Sequence, residues 1–456
     1  MTPVSLKAMA YDLIIRNGQM VTARDVSPGS VAIAEGKIVD ISPEISGAAR
    51  EEIDATGLHV FPGAIDPHVH FNEPGRTEWE GIATGSAALA AGGGTCFFDM
   101  PLNSSPPVLD GESFDEKLAA AQQKSLTDFA LWGGLTPNNL EQLNDLAERG
   151  VVGFKAFMCD SGIDEFAWAD DYTLYRGMVM AEALGLPVAV HAENQALTQG
   201  LAREVSHGKR ESWFPFIYSR PIISEIEAIQ RAILMAEETG CRLHVVHVSC
   251  GLGVDLVVDA RRRGLPVTCE TCPHYLTFSV SDLEALGTLG KCAPPLRWRP
   301  DQRGLWAHLA EGGGIDFVAS DHSPSPPQMK AVDFADAWGG IAGVQSTLST
   351  LLTPRVEGAE LPLSRVAALT SSNVADVFKV RGKGEMIPGA DADLCLVDLS
   401  RGFELREQDL LDRHKLSPYV GQNFRGVVTR TIVRGTTVFR EGKIVSKPLG
   451  RLVRPA

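Results

Sequence analysis

The stretch Phe61–Gly75, FPGAIDPHVHFNEPG, decides how this chain is read. Apolar residues run up to Ile65, and His68 and His70 follow two positions apart. In an extended strand, side chains at i and i+2 share one face. Both imidazoles should therefore point the same way from the end of a buried strand, as a shared metal would require. Taken alone, the pair is better explained by one hydrogen-bonded core histidine and one facing solvent. The rest of the chain weighs against that.

Ala64–His70 is the first of eight strand-like runs, followed by Thr95–Met100, Asp128–Gly133, Val151–Phe157, Pro187–His191, Arg242–Val248, Pro266–Glu270 and Ile315–Ser320. Helical stretches such as EGIATGSAALAAGG, NLEQLNDLAERG and TLYRGMVMAEALG separate them. In a further one, SEIEAIQRAILMAEETG, Ser224 and Glu227 have the spacing of a capping box. Eight βα units with near-continuous apolar strands predict an α/β fold, a (β/α)8 TIM barrel. A doubly wound open sheet is the alternative, but no GxGxxG follows the first strand. Residues 11–60 carry short β-branched runs between Gly turns, and the texture returns in DADLCLVDL and GVVTRTIVRGTTVFREGKIV. The expected organisation is a barrel over 61–384 and a small β-sandwich composed of 1–60 and 385–456.

In such a barrel, chemistry sits at the carboxyl ends of the strands. Those ends carry His68 and His70 on the first strand, Lys155 on the fourth, His191 on the fifth, His247 on the sixth and Asp321 on the eighth. Candidate ligands at one end of five strands point to a metal centre, and imidazole with carboxylate suits Zn²⁺, Mn²⁺, Co²⁺ or Fe²⁺. Lys155 stands among Val151, Val152, Phe154 and Phe157, where burial lowers an amine's pKa. A neutral amine can add CO2 to become an anionic carbamate whose two oxygens could bridge two metals; the bland alternative is a lysine that snorkels or pairs with an acid. Two ions about 3.5–4 Å apart can share a hydroxide and polarise the carbonyl it attacks. Asp321 would then serve as general base and acid. Hydrolysis at a planar C–N or C–O bond is the expected reaction class.

The remaining composition narrows the setting. No run among the 456 residues approaches the roughly 18 consecutive apolar residues of a membrane span. The start, MTPVSLKAMAYDLII, does not read as a secretory signal, so a cytoplasmic location is expected. A formal charge of −15 argues against nucleic acid as partner. Eight cysteines in so long a chain are expected to be reduced and buried, including the lone CxxC of Cys269 and Cys272.

FPGAIDPHVHFNEPG, the strand-four lysine, VHAEN, HVVHVS, VASDHSP and HKLSPYVG together resemble the cyclic amidohydrolases, a family that includes dihydroorotase, hydantoinase or dihydropyrimidinase, and allantoinase. The resemblance spans nearly the whole chain. It implies two divalent ions, zinc ahead of manganese, cobalt or iron. His68 and His70 would hold the more buried ion with Asp321, carboxylated Lys155 would bridge, and His191 and His247 would hold the second. A homotetramer is implied in the same way.

Substrate choice turns on finer likenesses. Dihydroorotases resemble HxHxREPG, whose arginine grips a substrate carboxylate, whereas Asn72 stands at that place here and cannot make a charge-assisted pair. DMPLN, GFKAFM, SGIDEF, ETCPHY, KCAPPLR, SDHSPSPPQMKA and WGGIAGVQ are similar to the allantoinase branch, whose substrate is allantoin and product allantoate. That similarity makes Asn103 and Ser323 substrate-binding candidates; His274 is a third, although a histidine so placed is more often packed at the barrel rim than a ligand. Ala293 replaces a serine found in some relatives, so no side-chain contact is expected there. The alternatives are hydantoinase or dihydroorotase activity on a related cyclic amide, and a non-catalytic scaffold. His322 is expected to point off the opposite face and orient a loop, and His244, three residues before His247, to lie on the other face of its strand.

Overall fold

In the computed structural model, which describes residues 11–456, the eight runs form short parallel strands. The first ten residues, which include most of the stretch read as lacking a secretory signal, lie outside the described residues. The barrel strands are Ala64–Val69, Gly94–Asp99, Asp128–Leu131 continued at Gly133–Gly134, Phe154–Phe157, Val188–His191, Leu243–Val245, Val267–Thr271 and Phe317–Val318. Neighbours pair in sequence order. The ring closes between the eighth strand and the first. There, Val69 bridges His322, the His70 amide donates to the His322 carbonyl at 2.8 Å, and buried Asp66 accepts from the Ser320 amide at 3.1 Å.

Strands buried on both faces explain the continuous apolar runs. Phe97 packs in the shell that includes the helices, while its neighbour Phe98 joins Ile65, Trp132, Phe317 and Phe378 in a second cluster. Trp132 interrupts the third strand, and its indole N–H donates to the Pro67 carbonyl at 3.0 Å. The helix Ile222–Thr239 departs from expectation at its start. Pro221, extended at ψ 159°, stands at the N-cap, so Ser224 lies inside the first turn and donates to the Pro221 carbonyl instead of forming a capping box. Glu227 is taken up by the Asn194 side chain. Among the described residues no helix is long and apolar enough to cross a membrane.

The two ends of the chain join in one nine-stranded sheet. The joint is the antiparallel pairing of His59–Pro62 with Leu394–Glu404, which sets Phe61 opposite Cys395. Leu13, Val31 and Val60 from the first segment share a core with Leu394, Leu396 and Ile432 from the last. The sheet is pinned to the barrel by charge. Buried Lys383 reaches Asp128 at the start of the third barrel strand (2.5 Å), Asp391 (2.8 Å) and Asp393 (2.7 Å), and Arg434 also pairs with Asp128. Removing one partner of a buried pair strands the others. Lys383→Met should therefore destabilise the protein by about 3–5 kcal/mol, read as a lowered denaturation midpoint; an unchanged midpoint would mean the network is dispensable.

Candidate metal centre

At the carboxyl end of the barrel, the Nε2 atoms of His68 and His70 lie 3.2 and 3.3 Å from the same Asp321 oxygen. The other nitrogen of each ring is held from behind. His70 Nδ1 donates to the Leu102 carbonyl at 2.6 Å, and His68 Nδ1 donates to Glu270. A proton held on Nδ1 would leave each Nε2 free to ligate a metal on the side that faces Asp321. The arrangement repeats across the site with the nitrogens exchanged. His191 Nε2 donates to Glu193 at 2.8 Å, and its Nδ1 faces His247 Nε2 at 3.1 Å. Glu193 is in turn gripped by Arg220 at 2.5 Å.

Lys155 completes the group. Its amine is fully buried, has no hydrogen-bond partner and lies 5.2 Å above the Phe157 ring. Burial lowers its pKa to about 8 against the pull of Glu270 and Asp321. Burial holds His68, His191 and His247 below their usual range, with a smaller push from this amine, against the opposing pull of Glu270 and Asp321 on His68 and of Glu193 on His191. Burial would raise the Asp321 carboxyl, but His68 and His70 outweigh it and keep it ionised well below the carboxylate range. Imidazoles with a nitrogen turned inward, an ionised carboxylate and an orphaned buried amine form a donor set that fits two divalent ions.

Three non-glycine residues here adopt left-handed backbone: Asn72 (φ 62°), His247 (φ 40°) and Asp321 (φ 46°). Such conformations cost about 1–3 kcal/mol each and persist where the surroundings enforce them. At His247 the twist corrects the expectation for His244. Strand alternation places residues three apart on opposite faces, but the strand ends at Val245 and the left-handed turn swings His247 back inward. His244 therefore points inward too. Its Nε2 lies 3.2 Å from Glu270, whose other oxygen receives His68. His322 behaves as expected, its Nδ1 accepting from the Gly343 amide at 3.1 Å to anchor a loop.

The substrate-binding candidates assemble beside the ligands. The Asn103 amide group lies 3.3 Å from Asn72 Oδ1 and 3.4 Å from Ser323 Oγ, and Asn72 is further tied to the Pro324 carbonyl at 3.4 Å. His274 is fully buried with both ring nitrogens unpartnered, packed at 4.2 Å against the Tyr275 ring. Burial pushes its pKa down to about 4, opposed by Asp321. The eight cysteines are free and buried, as expected.

Residues 59–438 match the amidohydrolase family. The chain belongs to that family. It is 55% identical over 447 residues to the allantoinase of Rubrobacter xylanophilus, covering 98% of each chain. It is 52% identical to the allantoinase of Desulfitobacterium hafniense, covering 98% of this chain and 99% of that one. Among solved structures, an L-hydantoinase (dihydropyrimidinase) from Arthrobacter aurescens superposes with a TM-score of 0.94 at 33% identity, over 97% of this chain and 100% of the other. A dihydropyrimidinase from Brevibacillus agri gives 0.89 at 30%, over 97% and 98%.

In this amidohydrolase the carboxylates behind the imidazoles were not singled out by sequence reasoning. Glu193 lies two residues after His191, an available signal, whereas Glu270 sits 202 residues from His68 and carries none. Burial would raise Glu270, but His68 and His244 outweigh it and hold it at about 2. An anionic acceptor at that place fixes the His68 tautomer. Glu270→Gln should weaken divalent-ion affinity about 10–100-fold with the fold intact, measured by chelator competition. Unchanged affinity would show that the tautomer is set by something else.

Proposed function

We propose that this chain hydrolyses the cyclic amide bond of allantoin, opening its hydantoin ring to allantoate in purine breakdown and nitrogen assimilation. The observation that carries the substrate class is the neutral cluster of Asn72, Asn103 and Ser323 beside the ligand set. These groups suit amide edges, and among the described residues no free cation stands where a substrate carboxylate would be gripped: the nearby Arg76 is engaged by the Asn103 carbonyl and Glu165. Relatives named allantoinase at 49–55% identity over nearly the full length favour the same ring.

His68, His70 and Asp321 would hold one divalent ion and His191 and His247 a second, with Lys155 as carbamate ligand to both. Zinc is proposed ahead of manganese, cobalt or iron. Such a pair, when bound, supplies Lewis acidity toward a carbonyl oxygen and acidifies water. The Lys155 amine reaches this state by bonding to CO2 carbon and releasing a proton. Asp321 takes the proton of the attacking water and returns it to the ring nitrogen as the C–N bond breaks. Asn103 and Ser323 hold the ring's amide edges, and His274, unpartnered and neutral, offers a further hydrogen bond. Residues 61–384 act as the hydrolase barrel and 1–60 with 385–456 as its companion, in a cytoplasmic homotetramer with no nucleic-acid or membrane partner.

The closeness in shape to an L-hydantoinase keeps one second reading, ring opening of simpler hydantoins or dihydropyrimidines. The two separate in one experiment. Apo-protein supplied with Zn²⁺, Mn²⁺ or Co²⁺ should open allantoin faster than hydantoin, dihydrouracil or dihydroorotate. A preference for hydantoin or dihydrouracil would favour the second reading, and turnover of dihydroorotate would overturn the argument from the neutral cluster. Lys155→Ala should lose bound metal and activity, with partial recovery when a short carboxylic acid is added. Full activity and metal content in that variant would make the lysine structural.

A further inference from the structure

We infer that Arg76 is a positioning residue for substrate recognition, its guanidinium fixing Asn103 and tying three loops together at the mouth of the barrel. The inference rests on the proposed role of Asn103. Arg76 lies in the segment that follows the first barrel strand. One terminal nitrogen donates to the Asn103 backbone carbonyl at 2.7 Å, in the loop after the second strand. The other lies 3.2 Å from both carboxylate oxygens of Glu165, in the loop after the fourth. Ser105 donates to the same carboxylate at 3.3 Å. The guanidinium also stacks 5.4 Å from the Trp79 ring, which meets Trp338 of the loop after the eighth strand edge-on at 4.8 Å.

The fork matters because its two ends do different work. Holding the Asn103 carbonyl sets where that residue's side chain stands between Asn72 and Ser323. Holding Glu165, which also accepts from Ser105, ties the fourth-strand loop to the loop that carries Asn103. A lysine carries the charge but cannot span both acceptors in one plane. Arg76 touches none of the proposed metal ligands, so its loss should leave metal content alone.

The test is a cycle on whichever ring the wild-type enzyme opens. Arg76→Ala should raise KM about 10–100-fold, the range of a lost charged hydrogen bond, with kcat and metal content nearly unchanged. Arg76→Lys should recover only part of the loss. In an Asn103→Ala background the same substitution should add little, because its effect passes through Asn103. Independent penalties, or a fall in kcat with KM unmoved, would overturn the inference. Amide exchange gives a second reading that needs no turnover. Arg76→Ala should speed exchange over residues 101–105 and 161–166, and unchanged exchange in both loops would overturn it. A wild-type enzyme that opens none of the rings would sink the proposed reaction and leave this second test standing.

Discussion

A fully buried lysine amine with no hydrogen-bond partner is the constraint around which the site is built. Isolated ammonium groups are costly to desolvate, and most buried polar groups find partners. Lys155 finds none among the described residues, although Glu270 and Asp321 are close enough to bear on its charge. The imidazoles around it, unlike these two carboxylates, are arranged as if the charge there had the opposite sign. His68, His191 and His247 are each destabilised as cations partly by this amine, and each aims a nitrogen into the site. A carbamate holding metal, as proposed, would remove the ammonium from among those nitrogens.

The barrel serves this arrangement by placing side chains with little freedom. Carboxylates behind the rings assign the protons, so the inward nitrogens are left as acceptors. Glu270 does this for His68 while also receiving His244, and Glu193 does it for His191 while held by Arg220. Each carboxylate stays ionised because its partners outweigh burial. The left-handed residues at His247 and Asp321 show where strand geometry alone could not aim a ligand.

That boundary between regular and irregular backbone also marks what was legible in the sequence. The strands were readable because both faces are buried, which writes continuous apolar runs into the chain. The six ligand candidates were readable because they sit at the same end of those runs, and the structure brings them together. His244 was misplaced because two-residue alternation fails once the strand ends at Val245. The helix start at Ile222 was missed because the Ser224–Glu227 spacing outweighed the meaning of Pro221 just before it. Glu270 and Arg76 could not be singled out from the sequence for a different reason: their partners lie far away in sequence or on other loops, and nothing local announces such a pairing.

The substrate side shows the same division of labour at lower charge. Where the metal side is fixed by ionised groups, Asn72, Asn103 and Ser323 make only neutral contacts at 3.3–3.4 Å. Contacts that long are weak and leave capacity for a ligand. A neutral cluster cannot hold its own geometry as carboxylate–imidazole pairs do, so its rigidity has to come from the loops that carry it. The charged groups near it face away, Arg76 toward a backbone carbonyl and Glu165, and Lys330 toward the Trp338 and Gly340 carbonyls. Charge thus frames the proposed substrate face without entering it, which is the condition for reading an uncharged ring by hydrogen bonds rather than by its net charge.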